Sequence, residues 1–458
     1  MVSTSANICL FLFLVDLFLT SSITEARYGE DNSSASHRPR LKLPSLHTGG
    51  PLFEHLCRYS GYFDLPDTGG ARMFYFFFKS RIHKHDDPVV LWLSGGPGAS
   101  SSMALFYENG PFRITEESSL IWNEYGWDTV SNIIYVDQPT GTGFSYSTDA
   151  RDIRDNLTSV TNDLYNFLKK FFEEYRDFVR NDFFITGNSY AGHYVPALAS
   201  KIQQENKKNE GLIIKLKGIA IGNGLTNAGI QLPTIPFFAK INGLITETKY
   251  SFIKEEMVPK CEESIKNCDM GDQIACERAY TDCNDIVQEI RNVAGNKNFF
   301  DIRVDRLGPL NYDYSKMESF LNTQSVQDAL GVQHRTFVPW NFTIFRALQR
   351  DYVKRYDTKI PDLLKNKIKV LVYNGEKDLM CNWMGSFNWV TEMEWYDKEK
   401  FGEAPLAPFH VDGKTVGDRT NYGPLTFIKV LNAGHKVSMD QPKVAWQMLQ
   451  NWMQQELE

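Results

Sequence analysis

The sequence predicts an α/β fold with a central, mostly parallel sheet and a helical insertion. Three observations carry that expectation. Continuous apolar runs of strand length recur along the chain, as expected for strands covered on both faces. Amphipathic stretches separate several of them. Between about 226 and 348 this alternation gives way to a helical and loop-like pattern that holds four cysteines.

Taken in order, the first segment is a leader. Ile8 to Val15 is apolar and Leu17 to Leu19 continues the run, with Thr24-Glu25-Ala26 before a cut. We read 1–26 as a signal peptide, although Asp16 interrupts the run and no Lys or Arg precedes it. The run is short of the roughly 20 apolar residues that span a bilayer, so no stable membrane insertion is expected. Residues 27–50 are polar and poor in aromatics, like a leader or pro-segment, and 51–458 is then one catalytic domain. Arg72 to Phe78, Val89 to Leu93, Asn132 to Val136, Phe183 to Thr186 and Leu216 to Ile221 read as early strands. Ile368 to Tyr373 and Phe427 to Leu431 read as late ones. The insertion, about 226–348, is expected to cap whatever site the sheet carries.

Charge and cysteines narrow the class. The formal net charge is -7, without a long basic block, so neither nucleic acid nor an anionic membrane is an expected partner. Within the insertion Cys261, Cys268, Cys276 and Cys283 are symmetrically spaced. Two antiparallel helices turning near Met270 to Gln273 would pair Cys261 with Cys283 and Cys268 with Cys276. A zinc site is the rival, but its ligands are usually spaced more tightly. A disulfide ladder suits a secreted or vacuolar protein of the secretory pathway. The sequons at Asn32, Asn156 and Asn341 fit that route, and Asn156 and Asn341 are the candidate glycosylation sites within the domain.

The chemistry centres on Gly187-Asn188-Ser189-Tyr190-Ala191-Gly192. A strand ends at Gly187 and a helical pattern starts after Ser189, so the hydroxyl is exposed on a strand-to-helix turn, as a nucleophile's must be. Nine histidines limit the choice of base. His37 and His47 lie in the leader, and His83 and His85 in a polar loop. His193 sits on the helix leaving the turn and is given a structural role. His435, in Leu431-Asn432-Ala433-Gly434-His435, follows a late strand, where open α/β sheets place catalytic groups. Asp378 follows another, in Val372-Tyr373-Asn374-Gly375-Glu376-Lys377-Asp378. The chain order Ser, Asp, His is that of the α/β-hydrolases. Ser189 would attack a carbonyl carbon, His435 would shuttle the proton, and Asp378 would fix the imidazole tautomer. No cofactor and no metal are needed for this chemistry.

From about Gly61 onward the chain resembles the serine carboxypeptidases, in particular the plant carboxypeptidase III-like branch. The likeness rests on Trp92-Leu93-Ser94-Gly95-Gly96-Pro97-Gly98, Glu108-Asn109-Gly110-Pro111-Phe112 and the run Asp137 to Tyr146. It continues through the Ser189 turn, Asp378-Leu379-Met380-Cys381-Asn382-Trp383, Ala433-Gly434-His435 and Met439-Asp440-Gln441-Pro442. The resemblance implies an α/β-hydrolase fold and peptide substrates. It implies an oxyanion hole from the backbone N–H groups of Gly96 and Tyr190. Ser94, the Gly95 backbone, Glu108 and Asn188 occupy the positions that hold a substrate's terminal carboxylate. Cys381 matches a free thiol lining the substrate pocket.

The chain also departs from that pattern. Asn188 stands where the family usually has Glu, so one of two crowded acidic groups is absent, and peptide cleavage should be less confined to acid pH. Ser94 replaces Asn or Thr. Lys436 replaces an apolar residue beside His435, where it would lower the histidine's basicity, attract acidic C-terminal residues or point into solvent. Ala99 replaces a cysteine whose partner near Val338 to Asn341 is also missing, and Arg306 and Asn311 replace another pair. Three functions follow from these residues. A carboxypeptidase working through an acyl-enzyme leads. An acyltransferase of the same fold and a catalytically weak secreted binding protein are the alternatives. A homodimer is left open by the sequence.

Overall fold

The apolar runs form the middle of one sheet in the computed structural model, which describes residues 6–8, 58–82, 86–308, 310–332 and 335–454. In chain order the strands are β1 Arg58–Asp64, β2 Arg72–Phe78, β3 Val89–Leu93, β4 Asn132–Val136 and β5 Phe183–Asn188. They continue with β6 Leu216–Gly222, β7 Lys369–Gly375, β8 Ala407–Val411, β9 Lys414–Tyr422 and β10 Leu425–Val430. Their order across the sheet is β1-β2-β4-β3-β5-β6-β7-β10-β9-β8. The middle run from β4 to β10 is parallel. Antiparallel pairs flank it on both sides. This is the α/β-hydrolase sheet. A short segment, Ala6–Ile8, pairs with the outer edge of β1. It falls inside the expected signal peptide, whose removal would leave the ten strands named. The rest of 1–50, Cys57, His83 and His85 lie outside the described residues.

Period-two alternation feeds two cores from the same strands. On β3, Leu91 and Leu93 enter one apolar cluster and Val90 and Trp92 the other. Helices α1 Leu157–Glu174 and α2 Ala191–Lys208 cover the first face, through residues such as Leu164, Phe171, Val195 and Ile202. The C-terminal helix Pro442–Gln454 covers the second through Val444, Met448 and Trp452. Burial on both faces is why these strands read as unbroken apolar runs.

Among the described residues, no strand of this sheet falls between Gly222 and Lys369. The intervening chain is largely helical. Its longest helices, α3 Val258–Asp269 and α4 Gln273–Ala294, form a hairpin. Asp272 caps α4 by accepting from the Ile274 and Ala275 N–H groups at 2.9 and 3.1 Å. Disulfides join Cys261 to Cys283 and Cys268 to Cys276, with Cα–Cα distances of 4.8 and 4.5 Å.

Backbone hydrogen bonds replace the bridge that Ala99 lacks. Asn341 N–H donates to Gly98 O at 2.9 Å and Ser100 N–H to Pro339 O at 2.9 Å. The Trp340 indole donates to Pro97 O at 2.7 Å. At the second lost bridge, Leu307 N–H donates to Asn311 O at 3.2 Å.

Candidate active site

Ser189 sits between β5, which ends at Asn188, and α2, which starts at Ala191. Its φ of 62° lies in the left-handed region, where a non-glycine residue is strained and must be held by its surroundings. It is held: its N–H faces Gly222 O at 3.1 Å and Asn223 O at 3.2 Å, and its carbonyl accepts from Gly192 and Leu225, each at 2.9 Å. The turn also demands glycine at 187, where a Cβ would come within 2.4 Å of Leu93 O.

β7 and β10 are parallel neighbours of the nucleophile strand's side of the sheet, so their C-terminal loops emerge at the same end as Ser189. The β10 loop carries His435 and the β7 loop Asp378. His435 Nδ1 lies 2.7 Å from Asp378 Oδ2, both residues being buried. The carboxylate fixes the tautomer with the proton on Nδ1, leaving Nε2 as the free base. Asp378 Oδ2 also accepts from Asn223 Nδ2 at 2.8 Å, and its Oδ1 from Met380 N–H at 3.0 Å. Asn223 is completed by Gly375 N–H, which donates to its Oδ1 at 3.0 Å.

The helical segment reaches into this arrangement through Phe299 to Arg303. His435 N–H donates to Phe300 O at 2.7 Å, and the Phe300 ring packs on the imidazole with centroids 4.5 Å apart. Leu379 N–H donates to Phe299 O at 3.0 Å, and Ile302 N–H to Lys377 O at 3.1 Å. Arg303 donates to Asn432 O at 2.6 Å and to Asp440 Oδ2 at 2.9 Å, while Asp301 accepts from it at 2.6 Å. Asp440 in turn accepts from Gly434 N–H at 2.6 Å.

Ser189 and His435 line one pocket together with Ser94, Gly95, Gly96, Asn188, Cys381 and Lys436. Its remaining walls are largely aromatic, among them Tyr280, Phe300, Tyr312, Tyr314 and Trp340 from the helical segment. The strand ending at Leu93 passes so close to the Ser189 turn that a Cβ at Gly95 would meet Tyr190 N at 2.4 Å. Among the described residues, the Gly96 and Tyr190 N–H groups have no protein acceptor. The Asn188 amide likewise makes no side-chain hydrogen bond there, and it is only 6% exposed. Ser94 Oγ accepts from the Trp92 indole at 3.1 Å, which leaves its proton free to donate.

Glu108 departs from its expected place. It is absent from the pocket wall and buried behind it, at 2% exposure. There it pairs with Lys436 Nζ and accepts from Ser438 Oγ at 3.2 Å. Lys436 therefore does not point into solvent. Burial disfavours its ammonium, but Glu108 and Tyr314 outweigh that and hold its pKa above the ordinary lysine value.

Cys381 is a buried free thiol at the pocket, pushed up well above the ordinary thiol range by burial and then by Asp378. Asp378, Cys381 and His435 bring donor atoms within 4.8 Å of one another. The acid and imidazole are already bonded to each other, so this cluster is an acid–imidazole pair beside a thiol. His193 stands apart from the pocket. Its ring nitrogens face Leu225 O at 2.6 Å and Asp351 O at 3.0 Å, and burial pushes its pKa down to about 4. The two sequons differ. Asn156 Nδ2 faces Asp155 at the surface at 2.9 Å, whereas Asn341 Nδ2 donates inward to Gly141 O at 2.8 Å.

Sequence reasoning missed Asn223, Phe300 and Arg303. Only Asn223 carried a signal, as an Asn directly beyond a strand end.

With this geometry in hand, a family model described as serine carboxypeptidase, Peptidase_S10, matches residues 50–455. "Serine carboxypeptidase-like 48" of Arabidopsis thaliana is 53% identical over 411 residues, 89% of this chain and 80% of that protein. "Serine carboxypeptidase 3" of Hordeum vulgare is 48% identical over 436 residues, 94% of this chain and 85% of that protein. Among solved structures, Kex1(delta)p, a prohormone-processing carboxypeptidase from Saccharomyces cerevisiae, superposes with a TM-score of 0.78 at 24% identity. That match covers 87% of this chain and 92% of the other, and it is a likeness of fold.

Proposed function

The chain belongs to the serine carboxypeptidase family, and from that premise we propose that it releases C-terminal amino acids from peptides through an acyl-enzyme. The observation that carries this reading is the buried 2.7 Å contact of His435 Nδ1 with Asp378 Oδ2, opening on the same pocket as Ser189.

Ser189 Oγ attacks the carbonyl carbon of the terminal peptide bond as His435 Nε2 takes its proton. Charge gathers on the carbonyl oxygen, where the unpaired N–H groups of Gly96 and Tyr190 supply two fixed donors. His435 returns the proton to the leaving nitrogen, the C–N bond breaks and the amino acid departs. Water, deprotonated by His435, then attacks the ester carbonyl, and the proton goes back to Ser189 Oγ. Asp378 stabilises the imidazolium in both halves. The helical segment roofs the pocket, consistent with a cap.

Two disulfides suit an oxidising compartment, and we place the protein in the secretory route, outside the cell or in the vacuole. No helix among the described residues is long and apolar enough to cross a membrane.

A fluorophosphonate probe with blocked dipeptides tests the assignment. Labelling that Ser189→Ala abolishes, with release of the C-terminal residue, supports it. Labelling with transfer to an added alcohol or amine but no release favours the acyltransferase. An unlabelled protein overturns the enzyme reading of this site.

A further inference from the structure

We infer that Lys436, held by Glu108, is the cation that meets the substrate's terminal carboxylate, which therefore binds as an anion at neutral as well as acid pH. The inference rests on the carboxypeptidase reading and reverses one role it would otherwise carry: Glu108 is the lysine's counter-ion, not a ligand of the substrate.

Four observations support it. Lys436 lines the pocket and Glu108 does not. Glu108 is occupied on both oxygens, by Lys436 and Ser438. The Asn188 amide and the Ser94 hydroxyl, the neighbouring polar groups, are an unpartnered amide and a free O–H donor. Lys436 Nζ also lies 5.8 and 5.5 Å from the Tyr312 and Tyr314 ring centroids, which fixes a flexible side chain against aromatic walls. The pocket wall thus offers an incoming carboxylate the Lys436 ammonium, the Asn188 NH2 and the Ser94 hydroxyl as donors, with no carboxylate among its lining residues, and the acid behind them is paired with an ammonium.

The titratable groups around the lysine are four tyrosines, Asp440, whose carboxyl burial pushes up, and His435. Tyr312 and Tyr314 on the helical segment, Tyr135 on β4 and Tyr373 on β7 are all pushed upward by burial. Asp440, one turn beyond Lys436, accepts from Gly434 N–H and pairs with Arg303. His435 is the remaining titratable group beside the lysine.

Equilibrium binding decides the matter without turnover. In a Ser189→Ala background, a blocked dipeptide acid and its carboxamide are titrated calorimetrically between pH 5 and 8. Repeating this with Ser189→Ala/His435→Gln removes the imidazole's charge from the comparison. The acid should bind at least tenfold more tightly than the amide, with an affinity flat to within about threefold over that range. Adding Lys436→Met should erase the preference, because Glu108 is then a negative charge behind the pocket wall with no ammonium to offset it. Lys436→Arg should retain the preference, and Lys436→Met/Glu108→Gln should remove the repulsion without regaining the tightness. Acid binding that tightens sharply below pH 6 in the lysine-containing protein overturns the inference, as does an equal loss for acid and amide on Lys436→Met. Failure of the carboxypeptidase reading would show separately, as wild-type protein that labels or binds but releases no amino acid.

Discussion

Asn223→Ala should cripple the enzyme from a position that touches no substrate. Asn223 is fully buried, donates to Asp378 Oδ2 at 2.8 Å and accepts from Gly375 N–H at 3.0 Å. Truncation removes a hydrogen bond to a charged group, worth about 1.5–3 kcal/mol, and strands a buried N–H at about 1–3 kcal/mol. Partial relaxation or an admitted water trims the sum, leaving roughly 2–5 kcal/mol. About 400 ordered residues unfold with an entropy near 0.8 kcal/mol/K, so Tm should fall by roughly 2–6 °C. The catalytic effect follows from the same bonds. With one of its donors gone, Asp378 rotates more freely and His435 Nδ1 loses its fixed partner, so kcat should drop roughly 10–100-fold with KM little changed. Kinetics on a blocked dipeptide and a thermal melt read both effects. Asn223→Ala with wild-type kcat, whatever its Tm, would refute the claim that this residue positions the acid.

The remaining predictions concern stability and pH. Serine in place of both Cys261 and Cys283 opens a loop of 22 residues and should cost about 3.4 kcal/mol, against about 2.5 kcal/mol for the 8-residue loop of Cys268 and Cys276. Chemical denaturation of the two variants checks the ranking, which a reversed order would discard. Burial pushes the Asp137 carboxyl up to about 6, against hydrogen bonds from Ser100, Phe144, Ser101 and Ser102. A raised folded pKa contributes stability that is fully present below about 3.8 and lost as pH rises through about 6, roughly 3 kcal/mol in all. Asp137→Asn cannot titrate, so its Tm should change less between pH 4 and 7.5 than the wild type's. Equal changes would show that this carboxyl does not titrate as described. Asn188→Glu places a carboxylate on the pocket wall. At pH 7 kcat/KM for free-acid peptides should fall about tenfold and recover toward pH 5. Coincident profiles would remove any role for the amide.

What was legible in the sequence depended on distance along the chain. The parallel strands read clearly because burial on both faces makes them continuous apolar runs. Strands β1, β8 and β9 escaped notice. Ala407–Val411 and Lys414–Tyr422 flank the sheet with many exposed or half-buried positions, and neither reads as an apolar run. Ser189, Asp378 and His435, which the fold gathers at one end of the sheet, were proposed together because each lies in a loop that leaves a strand, a local signal. The Glu108–Lys436 pair could not, because 328 residues separate its members and each alone looks like an ordinary charged residue. Family position even suggested a different role for Glu108, since a position says nothing of what a distant substitution has brought beside it. Phe300 and Arg303 were hidden for a similar reason. They act through a backbone carbonyl and a guanidinium clamp on loops from the far end of the chain, contacts that no short motif encodes.

The short stretch from Phe299 to Arg303 also sets a limit on modularity. By sequence it belongs with the insertion, yet its backbone is stitched to the loops of both Asp378 and His435. An exchange of insertions between relatives, made at the obvious sheet boundaries, would transplant a part of the catalytic frame along with the roof. The roof is separable only if a chimera keeps its host's residues here, with crossover points placed between Gly295 and Asn298 and again beyond Arg303. The unit of inheritance for specificity is thus smaller than the unit of topology.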